Sequence, residues 1–521
     1  MISLNVILFA LVVVCITGIY ASLRPRRIPK GAKELPGPKG YPIIGNLLQI
    51  PKTHSWLKFK EWADEYGPIY KIHVLGSTYV VISSEKIAND LLSMRGAIYS
   101  DRPYFVMGYD LVTRGGNLVF NGMNDYWRRG RKFAQAQLST TGSRSWQGIQ
   151  AMEAPRLICD LVEQPSNYSL LFERYSTIVS LRQGFGKSVE RGPQEESHAR
   201  KIMSLMHVIE RVASPFAYLV DVLPVLMRLP ECLAPFKREG KIFHQQESSY
   251  FLGLLADARK VKEEGQPEEP PSFARSYLNK PEYWNLSDFE AAYTIGTLYG
   301  GGSGTTSSTM QTYCLTMCHY PEWQKRLQDE IDQVVGNDRI PRFDDMPNLP
   351  CVRAVVKEML RWRPVVSGGV PHRLIQDDIY EGYFIPAGTV VHANQWAIHR
   401  EEALYPDPET FRPERWLEPE YPTFRAPLTE FPNLKRFSAF GFGRRICPGL
   451  ESAENALFIQ VSSLAWACNV TRKKDKDGND IPVPLYDYSA GTNTAPKPFA
   501  FDLIPRSQER LQLMRESSTK Q

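Results

Sequence analysis

A single cysteine near the C-terminal end of the chain lies where a glycine-rich loop meets a helix, and this junction constrains the fold most. The stretch FGFGRRICPGLESAENALFIQVSSLAWA predicts a loop up to Cys447 and an apolar helix after it. The free N–H groups and the dipole of a helix N-terminus favour a thiolate at Cys447. Gly441, Gly443 and Gly449 allow the backbone to pass close to a flat, bulky group. Arg445 places positive charge beside an expected anion.

Two interpretations of this loop are possible. A buried cysteine in a glycine-rich turn is common in itself. A thiolate beside glycines and an arginine is also what a haem iron with a proximal cysteine requires. Five fixed positions favour the second interpretation, because the loop resembles the signature Phe-x-x-Gly-x-Arg-x-Cys-x-Gly of the cytochrome P-450 superfamily of haem-thiolate monooxygenases. The matching residues are Phe440, Gly443, Arg445, Cys447 and Gly449.

The resemblance covers essentially the whole chain and implies its architecture. It predicts a mainly α-helical fold with small β-sheets, in which a single large haem domain follows an N-terminal membrane anchor. It also implies that haem b (iron protoporphyrin IX) is the cofactor and that the Cys447 thiolate is the axial ligand of its iron. Phe440 and Arg445 are implied to contact the haem.

Further landmarks of the family follow in the expected order. In EMLR, Glu358 and Arg361 resemble the family's Glu-x-x-Arg pair, and FRPERW supplies Arg415. In the family these three residues form a buried ion network. Two guanidinium groups can bracket one carboxylate in a protein interior only if all three are fixed and hydrogen-bonded. We therefore expect the trio to support the fold.

Three more residues are candidates for contacts with the haem propionates. WRRGR places Trp127 and Arg131 at the spacing of the family's Trp-x-x-x-Arg helix, and GVPHR places His372 at another position for a propionate contact. Taken singly, a tryptophan or histidine at such a spacing is usually a packing residue. The resemblance implies haem binding for all three.

Three consecutive glycines, residues 300–302, lie inside a segment that otherwise predicts one long helix. Each glycine costs a helix interior about 1 kcal/mol relative to alanine. The helix is predicted to begin at a capping box formed by Ser287 and Glu290 and to run to about Tyr320, where Pro321 starts another helix. Something other than helix stability must therefore favour glycine here.

The family supplies a reason for these glycines. Its long helix crosses the distal face of the haem with the motif (Ala/Gly)-Gly-x-(Asp/Glu)-Thr-(Thr/Ser), which this chain resembles. Gly301 and Gly302 are then implied to leave room for O2 and water, and Thr305 to assist proton delivery. Close packing between helices is the alternative explanation. Gly304 departs from the motif, because the family has an acid at this position.

The N-terminus predicts a membrane anchor. Residues 2–23 carry no charge, and five basic residues follow within ten positions. Twenty-two residues at about 1.5 Å each can span a hydrocarbon core, and the basic flank places the rest of the chain in the cytosol. A cleaved signal peptide is the alternative. We predict an anchor at 1–23, a basic, proline-rich connector at 24–50 and a catalytic domain at 51–521 in the endoplasmic reticulum membrane.

Composition excludes several other classes of protein. The 62 Lys+Arg and 57 Asp+Glu residues give a net charge of only +5, too small to indicate a nucleic-acid-binding protein. The eight cysteines form no CxxC pair, so neither a zinc site nor a disulfide scaffold is indicated. The chain also lacks a convincing dinucleotide-binding fingerprint. Electrons are therefore expected from a separate flavin reductase, and the resemblance implies that it is NADPH–cytochrome P-450 reductase.

Three functions remain open at the level of sequence. The first is a monooxygenase that oxidises a small hydrophobic, aromatic or polycyclic secondary metabolite with O2, as in the fungal biosynthetic members that the chain resembles. The second uses the same haem chemistry but ends in oxidative C–C or C–N coupling or cyclisation without oxygen insertion. The third is a haem protein that only carries electrons, and the threonine and glycines at 301–305 argue against it.

Overall fold

The computed structural model describes residues 28–189, 192–214, 217–424 and 433–519. The predicted anchor at 1–23 and the first residues of the predicted connector lie outside these ranges. Within them, no helix combines the length and the apolar character that crossing a membrane requires.

The described chain is mainly helical, as the sequence predicts. The α-helices are, in chain order, α1 (Ser55–Tyr66), α2 (Glu85–Ala88), α3 (Gly96–Tyr99), α4 (Asp125–Gln137), α5 (Thr140–Ser145), α6 (Gln147–Glu163), α7 (Tyr168–Phe185), α8 (Pro193–Ala213), α9 (Leu219–Val222), α10 (Pro235–Glu263), α11 (Phe273–Asn279), α12 (Pro281–Trp284), α13 (Asp288–His319), α14 (Pro321–Val334), α15 (Pro350–Trp362), α16 (Gln395–Ile398), α17 (Leu450–Ala467) and α18 (Gln508–Thr519).

The strands are few and short, and they form three small sheets. They are β1 (Ile69–Val74), β2 (Ser77–Ile82), β3 (His372–Arg373), β4 (Asp378–Tyr380), β5 (Tyr383–Ile385), β6 (Val390–Ala393), β7 (Cys468–Arg472) and β8 (Phe501–Pro505). The largest sheet has the order β1-β2-β6-β3, while β4-β5 and β7-β8 are two-stranded. The prediction of a mainly α fold with small sheets is confirmed.

The first of two compact units contains residues 28–103, 368–401 and 441–445 of the described chain. It holds the four-stranded sheet, in which β1 and β2 form a hairpin, as the alternating stretch IYKIHVLGSTYVVIS predicts. Both turn residues, Leu75 and Gly76, have positive φ, which suits the twist of a two-residue hairpin. The apolar residues of the sheet pack on Leu91, Leu92 and Tyr99.

The second unit contains residues 104–367, 402–440 and 446–519 of the described chain. Its largest core combines side chains of α6, α7, α13, α14, α15 and α17. Helix α17, which follows the cysteine loop, contributes buried apolar residues along its length, including Phe458 and Trp466. This burial fixes the start of α17 and therefore the position of the loop before it.

Helix α13 is the long helix that contains the glycines. It begins at the predicted capping box: the Ser287 hydroxyl accepts from the Glu290 N–H and the Glu290 carboxylate accepts from the Ser287 N–H. It ends at His319, one residue before the predicted end. Twenty-three of its 32 residues are buried, so α13 runs through the interior of this unit.

Candidate active site

The loop before α17 holds Cys447 in a defined backbone conformation. The Cys447 N–H donates to the Phe440 carbonyl at 2.8 Å, and Phe440 packs against the core of the second unit. The Cys447 side chain is exposed, so free space adjoins the sulfur. Burial of the surroundings raises the pKa of the Cys447 thiol, while the Gly449 N–H and the charge of Arg131 lower it. The sulfur therefore has the hydrogen-bond donor and the cation that a thiolate needs.

Helix α4 brings two of the predicted haem residues to this loop. The Asn124 side chain caps the helix by accepting from the Trp127 N–H at 2.8 Å, and Trp127 is buried. Arg131 lies one turn further along and donates to the Ile446 carbonyl, next to Cys447. Its Nε is buried and has no hydrogen-bond partner among the described residues. An unpaired guanidinium N–H of this kind is suited to an anion.

In the first unit, Gly443 and Arg445 each make a close contact with a backbone carbonyl group. Gly443 has φ of +54°, and a Cβ there would lie 2.2 Å from the Leu92 carbonyl oxygen. Only glycine fits this close approach. The Arg445 Nε donates to the Ser100 carbonyl at 2.8 Å, which fixes the direction of its side chain.

His372 lies within a positively charged cluster of the first unit. Its Nδ1 is 2.9 Å from the Tyr99 carbonyl oxygen, so the proton is on Nδ1. Burial holds the pKa of His372 well below its usual value, and the charges of Arg102 and Arg445 act in the same direction. A nearby anion would oppose both effects. The propionate contact of His372 stays a prediction.

Arg102 is a member of this cluster that sequence reasoning missed. It is 9% exposed, and its guanidinium donates to the carbonyls of Val370 and Pro371, at 3.2 Å and 2.5 Å. It therefore fixes the residues immediately before His372. The sequence around it, SDRPYF, carries no spacing that singles it out.

One stripe in the middle of α13 is open and lies between stretches of the helix that are buried. The stripe contains Gly301, which is exposed, and Thr297, Leu298 and Thr305, which are partly exposed. A Cβ at Gly301 would meet nothing within 4 Å. The Thr305 hydroxyl donates to the Gly301 carbonyl at 2.8 Å. Residues four apart share one helix face, so α13 presents a hydroxyl and a bare stretch of backbone to one open space.

The neighbouring glycines serve a different purpose. A Cβ at Gly302 would lie 2.4 Å from the Ser180 Oγ of α7, and one at Gly300 would lie 2.1 Å from the Met206 Sδ of α8. Close helix packing therefore accounts for both residues. The sequence analysis assigned Gly302, with Gly301, to the distal face of the haem. For Gly302 this assignment stays a prediction, and the close approach of Ser180 on α7 gives a second reason for a glycine there.

The predicted ion network is present in the second unit. The Glu358 carboxylate accepts from Arg361 at 2.9 Å and 2.7 Å and from the Arg415 Nε at 3.4 Å, and all three side chains are fully buried. The Trp416 indole also donates to it, at 3.0 Å, as does the Arg412 N–H, at 2.9 Å. The carboxylate is thus saturated with donors. Trp416, next to Arg415 in the sequence, was not identified as a member of the network by sequence reasoning.

Comparisons with known proteins agree with this architecture. A sequence model of the family described as Cytochrome P450 matches residues 35–491. Cytochrome P450 monooxygenase 58 of Postia placenta is 36% identical over 474 residues, covering 90% of this chain and 88% of the relative. Cytochrome P450 monooxygenase virE of Hypocrea virens is 34% identical, covering 95% of this chain and 88% of the relative. A zebra fish cytochrome P450 structure with abiraterone has the same fold (TM-score 0.68, 24% identity, 87% and 100% coverage).

The fold and the cysteine loop define a class of haem-thiolate oxidoreductase. The chain belongs to the cytochrome P450 family and is a monooxygenase of the fungal biosynthetic type. Proteins of this family bind haem b through a cysteine thiolate. The residues of this chain fit that group, since they include a sulfur with adjoining free space, a guanidinium nitrogen without a partner and an open stripe on a buried helix.

Proposed function

We propose that this protein oxidises a small hydrophobic, aromatic or polycyclic secondary metabolite with O2 and with electrons from NADPH–cytochrome P-450 reductase. The open stripe of α13 is the observation that carries the proposal. A protein that only transfers electrons needs no free space beside a buried helix. The hydroxyl of Thr305 and the bare backbone at Gly301 leave room for small molecules such as O2 and water.

The polarity of the surrounding residues supports the substrate class. The open stripe carries no ionisable side chain, since it consists of Thr297, Leu298, Gly301 and Thr305. The segment at 104–121 and the end of α8 share an apolar cluster that includes Met107, Phe120 and Val212. A binding site lined in this way favours apolar, aromatic ligands.

Each unit carries part of the proposed haem-binding set. In the second unit, Cys447 would hold the iron, Phe440 would pack near the ring, and Trp127 and Arg131 would bind a propionate. In the first unit, Arg445 and His372 would bind a propionate. When bound, the haem supplies an electron-rich iron centre that activates O2 for substrate oxidation.

Thr305 is proposed to hold a proton near the reaction. As placed, its hydroxyl donates to the Gly301 carbonyl, so its oxygen remains free to accept a hydrogen bond. Rotation about χ1 would redirect the hydroxyl proton into the open space. The side chain can therefore accept from a water molecule or donate to a reactant, while the apolar surroundings limit access of bulk water.

An exposed basic surface supports the proposed reductase partner. In the second unit, Arg128, Lys132, Lys435 and Arg436 are exposed. Arg129, next to Arg128, is not part of this surface, because it pairs with Glu290 at 2.8 Å. Exposed cations steer an acidic partner toward the surface that carries them.

The proposed location is the endoplasmic reticulum membrane, with one spanning segment and a cytosolic catalytic domain. Deletion of residues 1–23 is expected to move at least part of the protein from the microsomal pellet to the supernatant. The reduced carbon monoxide spectrum should be unchanged, because no predicted haem residue lies in the segment. Fractionation and spectra of full-length and truncated protein test this. Loss of haem on truncation would mean that the segment belongs to the fold and is not a tether.

The function itself is tested by deleting the gene and comparing metabolites. The deletion strain should accumulate a hydrophobic compound. The purified protein, reconstituted with the reductase in lipid vesicles, should convert that compound only when both NADPH and O2 are supplied. Conversion without NADPH, or no conversion of any accumulated compound, would contradict the proposal.

A further inference from the structure

Gly304, where the family has an acid, faces a polar side chain. This face of α13 is buried. A Cβ at Gly304 would lie 3.8 Å from the Asn493 Nδ2 and 4.0 Å from the Met203 Cε, both ordinary contact distances. A carboxylate at this position would therefore fit, and it would reach the Asn493 amide.

The Asn493 amide is already bound to a carboxylate from another helix. Its Nδ2 donates to the Glu210 Oε1 at 2.8 Å. Glu210 lies near the C-terminal end of α8, and the loop of Asn493 stays close to it, because a Cβ at Gly491 would lie 3.0 Å from the Glu210 Oε2. The amide thus lies between the glycine that replaces the acid and a carboxyl group from elsewhere in the chain.

The charges around Glu210 are few. On its own helix, Arg211 pairs with Glu239 of α10 at 2.7 Å. The loop contributes the amide of Asn493, and α13 contributes the glycine. Among the described residues, no Lys, Arg or His pairs with the Glu210 carboxylate. Burial raises the pKa of Glu210 to about 7, and the hydrogen bond from Asn493 opposes this rise. Because the side chain is only partly buried, it can exchange protons with solvent.

We propose that Glu210 is the acid that delivers protons to the space beside Thr305 and that Asn493 positions it. Glu210 thus replaces the acidic group that α13 lacks at position 304. The proton leaves the Glu210 carboxyl through water held at the Asn493 amide. The resulting carboxylate recovers a proton from solvent before the next turnover. Electrons come from NADPH, as in the proposed function on which this inference rests.

The first test uses substrate-free enzyme with the reductase, NADPH and O2. Glu210→Gln keeps the shape of the side chain but has no acidic proton. We expect NADPH consumption to slow by about a hundredfold, the lower end of the range for a general acid. Asn493→Ala should slow it in the same direction. Thr305→Ala serves as a positive control for disturbed proton delivery.

Glu247→Gln provides a matched control. Glu247 is a buried carboxyl group of α10 whose pKa burial raises to about 8, and it contacts Tyr293, which lies on α13 three turns before Thr305. Its replacement removes a buried carboxyl group beside α13 and leaves the contact between Glu210 and Asn493 in place. The rate in Glu247→Gln should stay close to that of wild type.

The pH profile and a rescue variant separate proton delivery from packing. The wild-type rate should fall as pH rises through the pKa of Glu210, because only the protonated carboxyl can donate. This fall should persist in Glu247→Gln and disappear in Glu210→Gln. Gly304→Asp in the Glu210→Gln background should restore the rate, since the new carboxyl reaches the same amide.

A stability measurement checks the state of Glu210 independently of turnover. When folding raises the pKa of a carboxyl group, the folded protein loses stability as the pH rises from the pKa of the unfolded state to the pKa of the folded state. The melting temperature of holoenzyme with Glu210→Gln should therefore exceed that of wild type at about pH 8. The two should agree at about pH 4, where both states hold the proton.

The outcomes distinguish this inference from the proposed function. An unchanged rate and pH profile in Glu210→Gln, with a native haem spectrum, would overturn the inference alone. Failure of Gly304→Asp to restore the rate, or no pH-dependent gain in melting temperature, would also overturn it. Wild-type protein that consumes no NADPH would instead contradict the proposed function.

Discussion

Replacement of Cys447 by serine or histidine should abolish the red-shifted Soret band of the reduced carbon monoxide complex and reduce turnover to background. A serine hydroxyl stays protonated at neutral pH and cannot supply the electron density of a thiolate. Histidine gives a neutral nitrogen ligand. Absorption spectra of the reduced protein, with and without carbon monoxide, provide the measurement. A Cys447 variant that keeps the band would refute the assignment of the ligand.

The other described cysteines are poor substitutes for Cys447. Burial raises the pKa of Cys318, Cys351 and Cys468 to about 12 in each case. These thiols stay neutral in an apolar core. Cys232 is exposed and lies on a short surface turn, so Cys232→Ser is a matched control that should leave the spectrum unchanged.

Glu358→Ala should prevent accumulation of folded, haem-containing protein. The substitution leaves the buried guanidinium groups of Arg361 and Arg415 without their shared carboxylate, and the Trp416 indole without its acceptor. Removal of one partner of a buried ion pair typically costs about 3–5 kcal/mol. Since whole domains are stable by about 5–15 kcal/mol, this loss is a large fraction of the total. The yield of protein with the native spectrum and its denaturant midpoint measure the effect.

An exposed ion pair provides the control for this prediction. Lys325 and Asp329 lie one turn apart on α14 and are 2.8 Å from each other, with both side chains largely exposed. Asp329→Ala should change the free energy of unfolding by less than about 1 kcal/mol. If Glu358→Ala also changed the free energy of unfolding by less than about 1 kcal/mol, the buried network would not stabilise the fold.

Local signals in the sequence account for most of what could be predicted. The β1–β2 hairpin depends on alternation around one turn, and the start of α13 depends on Ser287 and Glu290 three residues apart. The Glu358 network was predicted because its members occupy family positions in the expected order. In each case the decisive residues are close in sequence or belong to a known motif.

Contacts between distant parts of the chain could not be predicted. The glycine run looks uniform in sequence, yet Gly301 is open while Gly302 packs against Ser180 of another helix. Glu210 and Asn493 are 283 residues apart and meet only in the folded chain. No periodicity or spacing links such residues, because tertiary packing alone brings them together.

The most direct test of the monooxygenase assignment is the fate of oxygen. The compound that accumulates in the deletion strain is incubated with purified enzyme, reductase and NADPH under ¹⁸O2, and the product is examined by mass spectrometry. We predict that the product contains one ¹⁸O atom from O2. A product that carries no label and has lost two hydrogens would contradict oxygen insertion and would mean that the reaction ends in oxidative coupling.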